Sequence, residues 1–100
     1  MPSVALRHGA HRHLHIQAMR HLGECFAARG LYDLAVRTFQ NALREKPVFD
    51  NEKKELLYLL GLVLEKMGKQ EEAIAQFKQI YESDIGYRDV AAKVDSYYAS

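Results

Sequence analysis

Residues 21–42, HLGECFAARGLYDLAVRTFQNA, align with residues 59–80, LLGLVLEKMGKQEEAIAQFKQI, and this internal match decides the fold. The shift is 38 residues, the difference between positions 61 and 23. Self-similarity at a fixed spacing indicates repeated structural units. Under this shift large residues mostly meet large ones and small residues meet small ones: Leu22 with Leu60, Gly23 with Gly61, Phe26 with Leu64, Gly30 with Gly68, Ala35 with Ala73, Phe39 with Phe77, and Ala42 with Ile80.

Apolar residues recur at spacings of three and four along most of the chain, which is the pattern of α-helix. The stretch LLYLLGLVL, residues 56–64, lies in one such helix and falls far short of the roughly 20 residues that a membrane-spanning helix needs. We predict helices from His13 to Arg29, from Tyr32 to Glu45, from a cap at Asp50 or Asn51 to Met67, from Gln70 to Glu82, and from Arg88 to Tyr98.

Glycine, proline and N-cap residues set the ends of these helices. Gly30 and Gly68 lack a Cβ and so permit the left-handed closure of the first and third helices. Pro47 prevents the second helix from continuing. The side chain of Asp50 or Asn51 can accept from the unpaired amides of the next helix, which makes either residue a suitable N-cap.

The matched residues predict how the helices pack. Each unit is an antiparallel pair of helices that approach most closely at Gly23 with Ala35, and again at Gly61 with Ala73. The aromatic rings at positions 39 and 77 fill the space beside these approaches. A single pair leaves one apolar face uncovered, so the two units are expected to stack.

The series Leu-Gly, Phe or Leu three residues further on, Gly, Ala, Phe, Ala and finally Pro47 resembles the tetratricopeptide repeat. The resemblance implies an all-α fragment of a right-handed α-solenoid, made of stacked helical hairpins in a domain of residues 13–100. The first repeat covers about residues 16–49 and the second about 54–87. Residues 88–98 form a capping helix, and 1–12 a flexible, histidine-rich arm. This tyrosine-rich end is similar to the C-terminal ends of longer bacterial members of the family.

In this family the first helix of each unit lines a concave groove that binds a protein or peptide. The resemblance therefore implies a non-catalytic scaffold with no cofactor. In the predicted groove Tyr58 and Leu62 form an apolar centre, and the glutamates favour a partner that carries Lys or Arg; the alternative is that both apolar residues pack against neighbouring helices or a second copy. The predicted groove residues are Gln17, Arg20, Glu24, Ala27, Glu55, Tyr58, Leu62, Glu65, and, from the capping helix, Arg88.

The charge balance excludes some partners. The chain has 14 Lys and Arg against 13 Asp and Glu, spread along its length. No strong field therefore points to nucleic acid or to an anionic membrane. Cys25 has no cysteine to pair with, which fits a reducing compartment, and we expect a cytoplasmic protein.

Two further groups of residues have side chains that could bind a metal or act in catalysis. His8, His11, His13 and His15 could hold a divalent metal, but no carboxylate or thiolate accompanies them nearby, so we interpret them as a solvated arm without a metal site. His21 and Cys25 share one helical face, yet Leu59 and Val63 replace them in the second unit. We therefore predict a packing face with a buried Cys25 and no catalytic role.

No phosphate-binding loop, dinucleotide-binding glycine motif, HExxH motif or nucleophile elbow occurs in the chain. We therefore expect a protein that is not an enzyme. The alternative to peptide binding is self-association into a homo-oligomer. In that case the uncovered side of the first helix, together with Leu59 and Val63, would form the contact.

Overall fold

A computed structural model describes the backbone of residues 4–99 and the side chains of residues 12–99. The described backbone contains five α-helices and no β-strand. They are α1 (Val4–Ala28), α2 (Tyr32–Arg44), α3 (Asn51–Lys66), α4 (Gln70–Ser83) and α5 (Val90–Ala99).

The predicted glycine closures after α1 and α3 are confirmed, and so is the predicted N-cap of α3. Gly30 and Gly68 adopt left-handed φ angles of 76° and 77°. In each case the amide of the residue after the glycine donates back to a carbonyl of the last helical turn, from Leu31 to Phe26 and from Lys69 to Leu64, at 2.9 Å. Asp50 is the N-cap of α3, since its carboxylate accepts from the backbone amide of Lys53 at 3.0 Å.

The first helix begins earlier than predicted. It starts at Val4 rather than at His13, so the predicted flexible arm of residues 1–12 is helical from Val4 onward. Residues 1–3 lie outside the described backbone. Gly9 was expected to delay the helix, but one glycine inside a helix costs only about 1 kcal/mol relative to alanine, and Ala5, Leu6 and Ala10 around it favour the helical state.

The last helix begins later than predicted, at Val90 rather than at Arg88. Arg88 has a φ of 43°, the left-handed region that L residues rarely adopt. A residue in this conformation cannot lie inside a right-handed helix. The turn that contains Arg88 therefore precedes α5. It is closed by a hydrogen bond of 3.2 Å from the amide of Val90 to the carbonyl of Tyr87.

Consecutive helices pack on one another in chain order. The α1–α2 pair and the α3–α4 pair are the two repeated units, α2 packs on α3 between them, and α5 packs on α4. The predicted stack of two hairpins and a final helix is therefore confirmed. The core runs along the stack and is centred on the fully buried rings of Phe39 and Phe77, with Ala35 and Ala73 beside them.

The closest approach within each pair differs slightly from the prediction. A Cβ at Gly61 would lie 2.6 Å from Cζ of Phe77, and one at Gly23 would lie 2.8 Å from Cζ of Phe39. The nearest neighbour of each glycine is thus the phenylalanine ring itself, where an approach to alanine was expected. The alanines and phenylalanines come from the second helix of each pair, so the predicted pairing of helices is unchanged.

Candidate functional site

The largest opening bordered by the predicted groove residues lies where the first helices of the two units face each other. It has a volume of about 600 Å³. Its walls include Glu24 and Ala27 from α1, and Leu62 and Glu65 from α3. The structure therefore brings these four predicted residues together, and this opening is called the interhelical cavity below.

The floor of the interhelical cavity is apolar. It consists of Tyr32 and Phe39 from α2 and Val63 from α3. Sequence reasoning missed these residues as part of the site. A signal for Tyr32 was present, because its counterpart at the shift of 38 is Gln70, so the first unit has an aromatic residue where the second has a polar one.

Carboxylates lie on opposite walls of the interhelical cavity. Glu24 pairs with Arg20 on α1, one turn earlier. Glu65 accepts from Lys93 of α5 with both oxygens, each at 3.1 Å. Both carboxylates are partly exposed and retain capacity to accept further hydrogen bonds.

The part of the predicted groove that Glu55 and Tyr58 would form is covered by the turn before α5, which contains Tyr87 and Arg88. The guanidinium of Arg88 lies 4.9 Å from the ring centre of Tyr58 and donates to Glu55 at 2.5 Å. The hydroxyl of Tyr87 donates to the same carboxylate at 2.9 Å. The turn before α5 covers the N-terminal half of α3. Glu55 and Arg88 therefore bind one another rather than facing an open groove.

Tyr58 belongs to the packed interior. Its side chain is only 8% exposed, and its ring contacts those of Phe77 and Tyr87. The hydroxyl donates to the carboxylate of Asp89 at 2.6 Å. This placement agrees with the alternative in which Tyr58 packs against neighbouring helices, while Leu62 lines the interhelical cavity.

Burial and hydrogen bonding raise the pKa of both tyrosines at this contact. Desolvation, together with the hydrogen bond to Asp89, raises the pKa of Tyr58 to about 12. Burial and the hydrogen bond to Glu55 raise the pKa of Tyr87 in the same way. Both hydroxyls therefore remain protonated donors at neutral pH.

The two remaining predicted groove residues lie at the margin. Gln17 is exposed on α1 and does not border the interhelical cavity. Arg20 is half-buried and is held by Glu24. Neither residue contributes to the floor of the cavity, so the site is smaller and more apolar than the sequence predicted.

The prediction of a packing face at His21 and Cys25 is wrong for these two residues. Both are exposed, whereas their counterparts Leu59 and Val63 are half-buried and buried. The difference arises because α3 has α2 packed on one side and α4 on the other, while α1 has α2 and only a small contact with α3.

The described histidines of the N-terminal region pair with carboxylates. His13 lies 3.3 Å from Glu52, and His15 lies 3.4 Å from Glu45. The side chains of His8 and His11 lie outside the described residues. Within residues 12–99, no group of three His, Cys, Asp or Glu side chains is placed to hold a metal ion. Among the helices of residues 4–99, none is both long and apolar enough to cross a membrane.

The fold and the interhelical cavity together define a class, the helical-repeat proteins built from stacked hairpins. Two family models described as tetratricopeptide repeat match the chain, one over residues 17–47 and the other over residues 54–84. The chain therefore belongs to the tetratricopeptide repeat family. Repeats of this family generally mediate contacts between proteins. No curated protein and no solved structure has significant similarity to the chain.

Proposed function

We propose that the interhelical cavity binds a peptide segment of a partner protein and that the protein acts as a non-catalytic scaffold. The single observation that carries this proposal is an opening of about 600 Å³ with an apolar floor and carboxylates on opposite walls. Binding sites of this size typically combine an apolar lining with a few placed polar groups.

The lining suggests the chemistry of the peptide. Ala27, Leu62 and Val63 offer an apolar surface for one aliphatic or aromatic side chain. Glu24 and Glu65 can accept from a Lys or Arg on either side of it. The partner segment is therefore an apolar anchor residue flanked by basic residues.

Selection from a random peptide library displayed on phage tests this proposal. The selected peptides are expected to be enriched in an apolar residue with Lys or Arg nearby. Their affinities are then measured by fluorescence anisotropy on the wild type and on Ala27→Leu, which fills the cavity from the α1 wall. The matched control is Ala75→Leu, on an exposed position of α4 outside the cavity.

Ala27→Leu is expected to weaken binding about tenfold, because the anchor residue loses its space. Ala75→Leu is expected to leave binding unchanged. If the selected peptides bind Ala27→Leu as tightly as the wild type, the interhelical cavity is not the peptide site.

Self-association is the second candidate function. Leu14 and Leu22 on α1 are exposed and could meet the same residues of a second copy. The single carboxylate of the first 30 residues, Glu24, pairs with Arg20 and so offers no charge complementarity for a symmetrical contact of this kind. Molar mass measured over a wide range of concentration distinguishes a constant monomer from an associating protein.

A cytoplasmic location is part of the proposal. Cys25 is the single cysteine of the chain, and its side chain is exposed. An exposed thiol persists most readily in a reducing compartment.

A further inference from the structure

A second surface of the protein has the chemistry of a helix-packing face, but within residues 4–99 no helix packs on it. It consists of Leu14, Ala18, Leu22 and Cys25 and is called the outer α1 face below. These residues recur at spacings of three and four and therefore form one stripe along the helix. All four are exposed, Leu14 to 62% and Leu22 to 48%.

The internal repeat identifies the kind of occupant. The counterpart of Leu22 is Leu60, which is 2% exposed. Likewise Ala18 and Cys25 correspond to residues that are buried in α3, Leu56 and Val63. The equivalent face of α3 is buried because α3 has a helix packed on each side, α2 and α4. The exception is Leu14, whose counterpart Glu52 is charged and half-buried. At the other three positions the outer α1 face has the same register, so the group that fits it is another helix.

The charges beside the stripe indicate which kind of helix fits the outer α1 face. Residues 1–30 contain four arginines and all five histidines of the chain, but a single carboxylate, Glu24. Glu24 pairs with Arg20 and borders the interhelical cavity instead. His21 and Arg29, which are exposed, flank the stripe, whereas the exposed His15 beside it pairs with Glu45 at 3.4 Å. Arg29 still belongs to the last turn of the helix, since its amide donates to Cys25 at 3.2 Å.

We propose that the outer α1 face docks an amphipathic helix of a partner protein whose apolar stripe is bordered by Asp and Glu. The apolar stripes bury one another, as when a helix lies in a groove. The acidic borders meet Arg29 and His21, which fixes the partner's position by charge complementarity. A second copy of α1 is a poor occupant, because its own outer face carries no carboxylate to meet Arg29.

A designed peptide tests the proposal without knowledge of the natural partner. The probe is a synthetic amphipathic helix of about 18 residues, roughly 27 Å long, with leucines on one face and glutamates beside them. The control peptide has lysine in place of every glutamate. Binding of each is measured by fluorescence anisotropy to the wild type, to Leu22→Ser and to Arg29→Glu. Val48→Ser, at an exposed apolar position between α2 and α3, is the control variant.

The acidic peptide is expected to bind at least tenfold more tightly than the basic one, and less tightly as salt increases. Leu22→Ser is expected to weaken the acidic peptide about tenfold, because Leu22 lies within the docking stripe. Arg29→Glu should reduce the preference for the acidic peptide, and Val48→Ser should change nothing.

Three outcomes would overturn the proposal. One is equal binding of the acidic and basic peptides, which would mean that charge does not select the occupant. Another is acidic-peptide binding that Leu22→Ser leaves unchanged, which would place the peptide elsewhere. The third is a stable dimer in light scattering that Leu22→Ser converts to a monomer, which would assign the outer α1 face to a second copy.

Discussion

Gly61 lies against the ring of Phe77, so closely that a Cβ built on it would be 2.5 Å from Cε1 of the ring. The first unit repeats this relationship between Gly23 and Phe39. Both rings are fully buried. The two hairpins therefore depend on a glycine in the first helix that leaves room for a phenylalanine from the second.

Gly61→Ala is expected to destabilise the protein. Forcing an extra methyl into a packed core costs about 1–3 kcal/mol, and the rigid surroundings favour the upper part of that range. Alanine gains roughly 1 kcal/mol over glycine in a helix, which offsets only part of the loss. Urea unfolding measures the net change in the free energy of unfolding.

Gly86→Ala is the matched control for this substitution. A Cβ at Gly86 would meet only Asp84, at 3.7 Å, an ordinary contact. Its effect is expected to stay within about 0.5 kcal/mol. In a Phe77→Leu background, Gly61→Ala should cost less than in the wild type, because the ring is gone. Wild-type stability of Gly61→Ala would contradict the proposed packing.

Val90→Ala is expected to show that α5 contributes to the stability of the whole stack. Val90 is fully buried at the start of α5, where the helix covers α4. Removing two buried methyl groups should lower the free energy of unfolding by about 1–3 kcal/mol. Ile85→Ala, at an exposed position in the preceding turn, should change it by less than about 0.5 kcal/mol. Equal effects of the two substitutions would argue against a docked α5.

Tyr58→Phe is expected to lower the free energy of unfolding at neutral pH by about 1 kcal/mol, because it removes the hydroxyl that donates to Asp89. Tyr58 has a pKa raised to about 12 in the folded state, whereas an unfolded tyrosine ionises near 10. Its contribution is therefore fully present below about pH 10 and is lost as the pH rises toward 12.

The measurement for this prediction is the difference in unfolding free energy between the wild type and Tyr58→Phe as a function of pH. The difference is expected to be constant up to about pH 10 and to shrink above it. A tyrosinate absorbance titration of the folded protein should also lose its latest step in the variant. A difference that stays constant to pH 12 would mean that Tyr58 is not the donor in this contact.

Asp50→Ala is expected to destabilise α3 by about 1 kcal/mol at neutral pH, because the N-cap bond to the Lys53 amide is lost. Asp50→Asn keeps a side chain that caps almost equally well, so its effect should be smaller. Asp95→Asn, at an exposed position on α5, is the control and should have an effect below about 0.5 kcal/mol.

The acid dependence of these variants follows from the same contacts. Burial opposes the charge of Asp50, but the hydrogen bonds from Lys46 and from the Lys53 amide outweigh it and lower the pKa of Asp50 from 3.8. Its contribution is therefore present above about pH 4 and is lost as the pH falls further. The advantage of the wild type over Asp50→Asn, measured by urea unfolding, should shrink in that range. An advantage that grows on acidification would contradict the assignment.

Part of the candidate site could be predicted from the sequence. The shift of 38 residues pairs Glu24 with Leu62 and Ala27 with Glu65, and all four border the interhelical cavity, because equivalent positions of stacked units face the same side. Tyr58 and Arg88 could not be placed in this way. Their surroundings depend on the left-handed turn at Arg88. Arginine rarely adopts this conformation, so the residue types in the chain do not predict the turn.

The sequence by itself determined the helices, most of their ends and their pairing. Gly30, Gly68 and Asp50 act through local backbone geometry, and the repeated glycine and phenylalanine act through volume, so both are readable from residue type and spacing. Only the tertiary structure decided which apolar residues are covered. Leu60 and Leu22 are the same residue at equivalent positions, yet one is buried and the other exposed, because burial depends on the neighbouring helix and not on the residue that is buried.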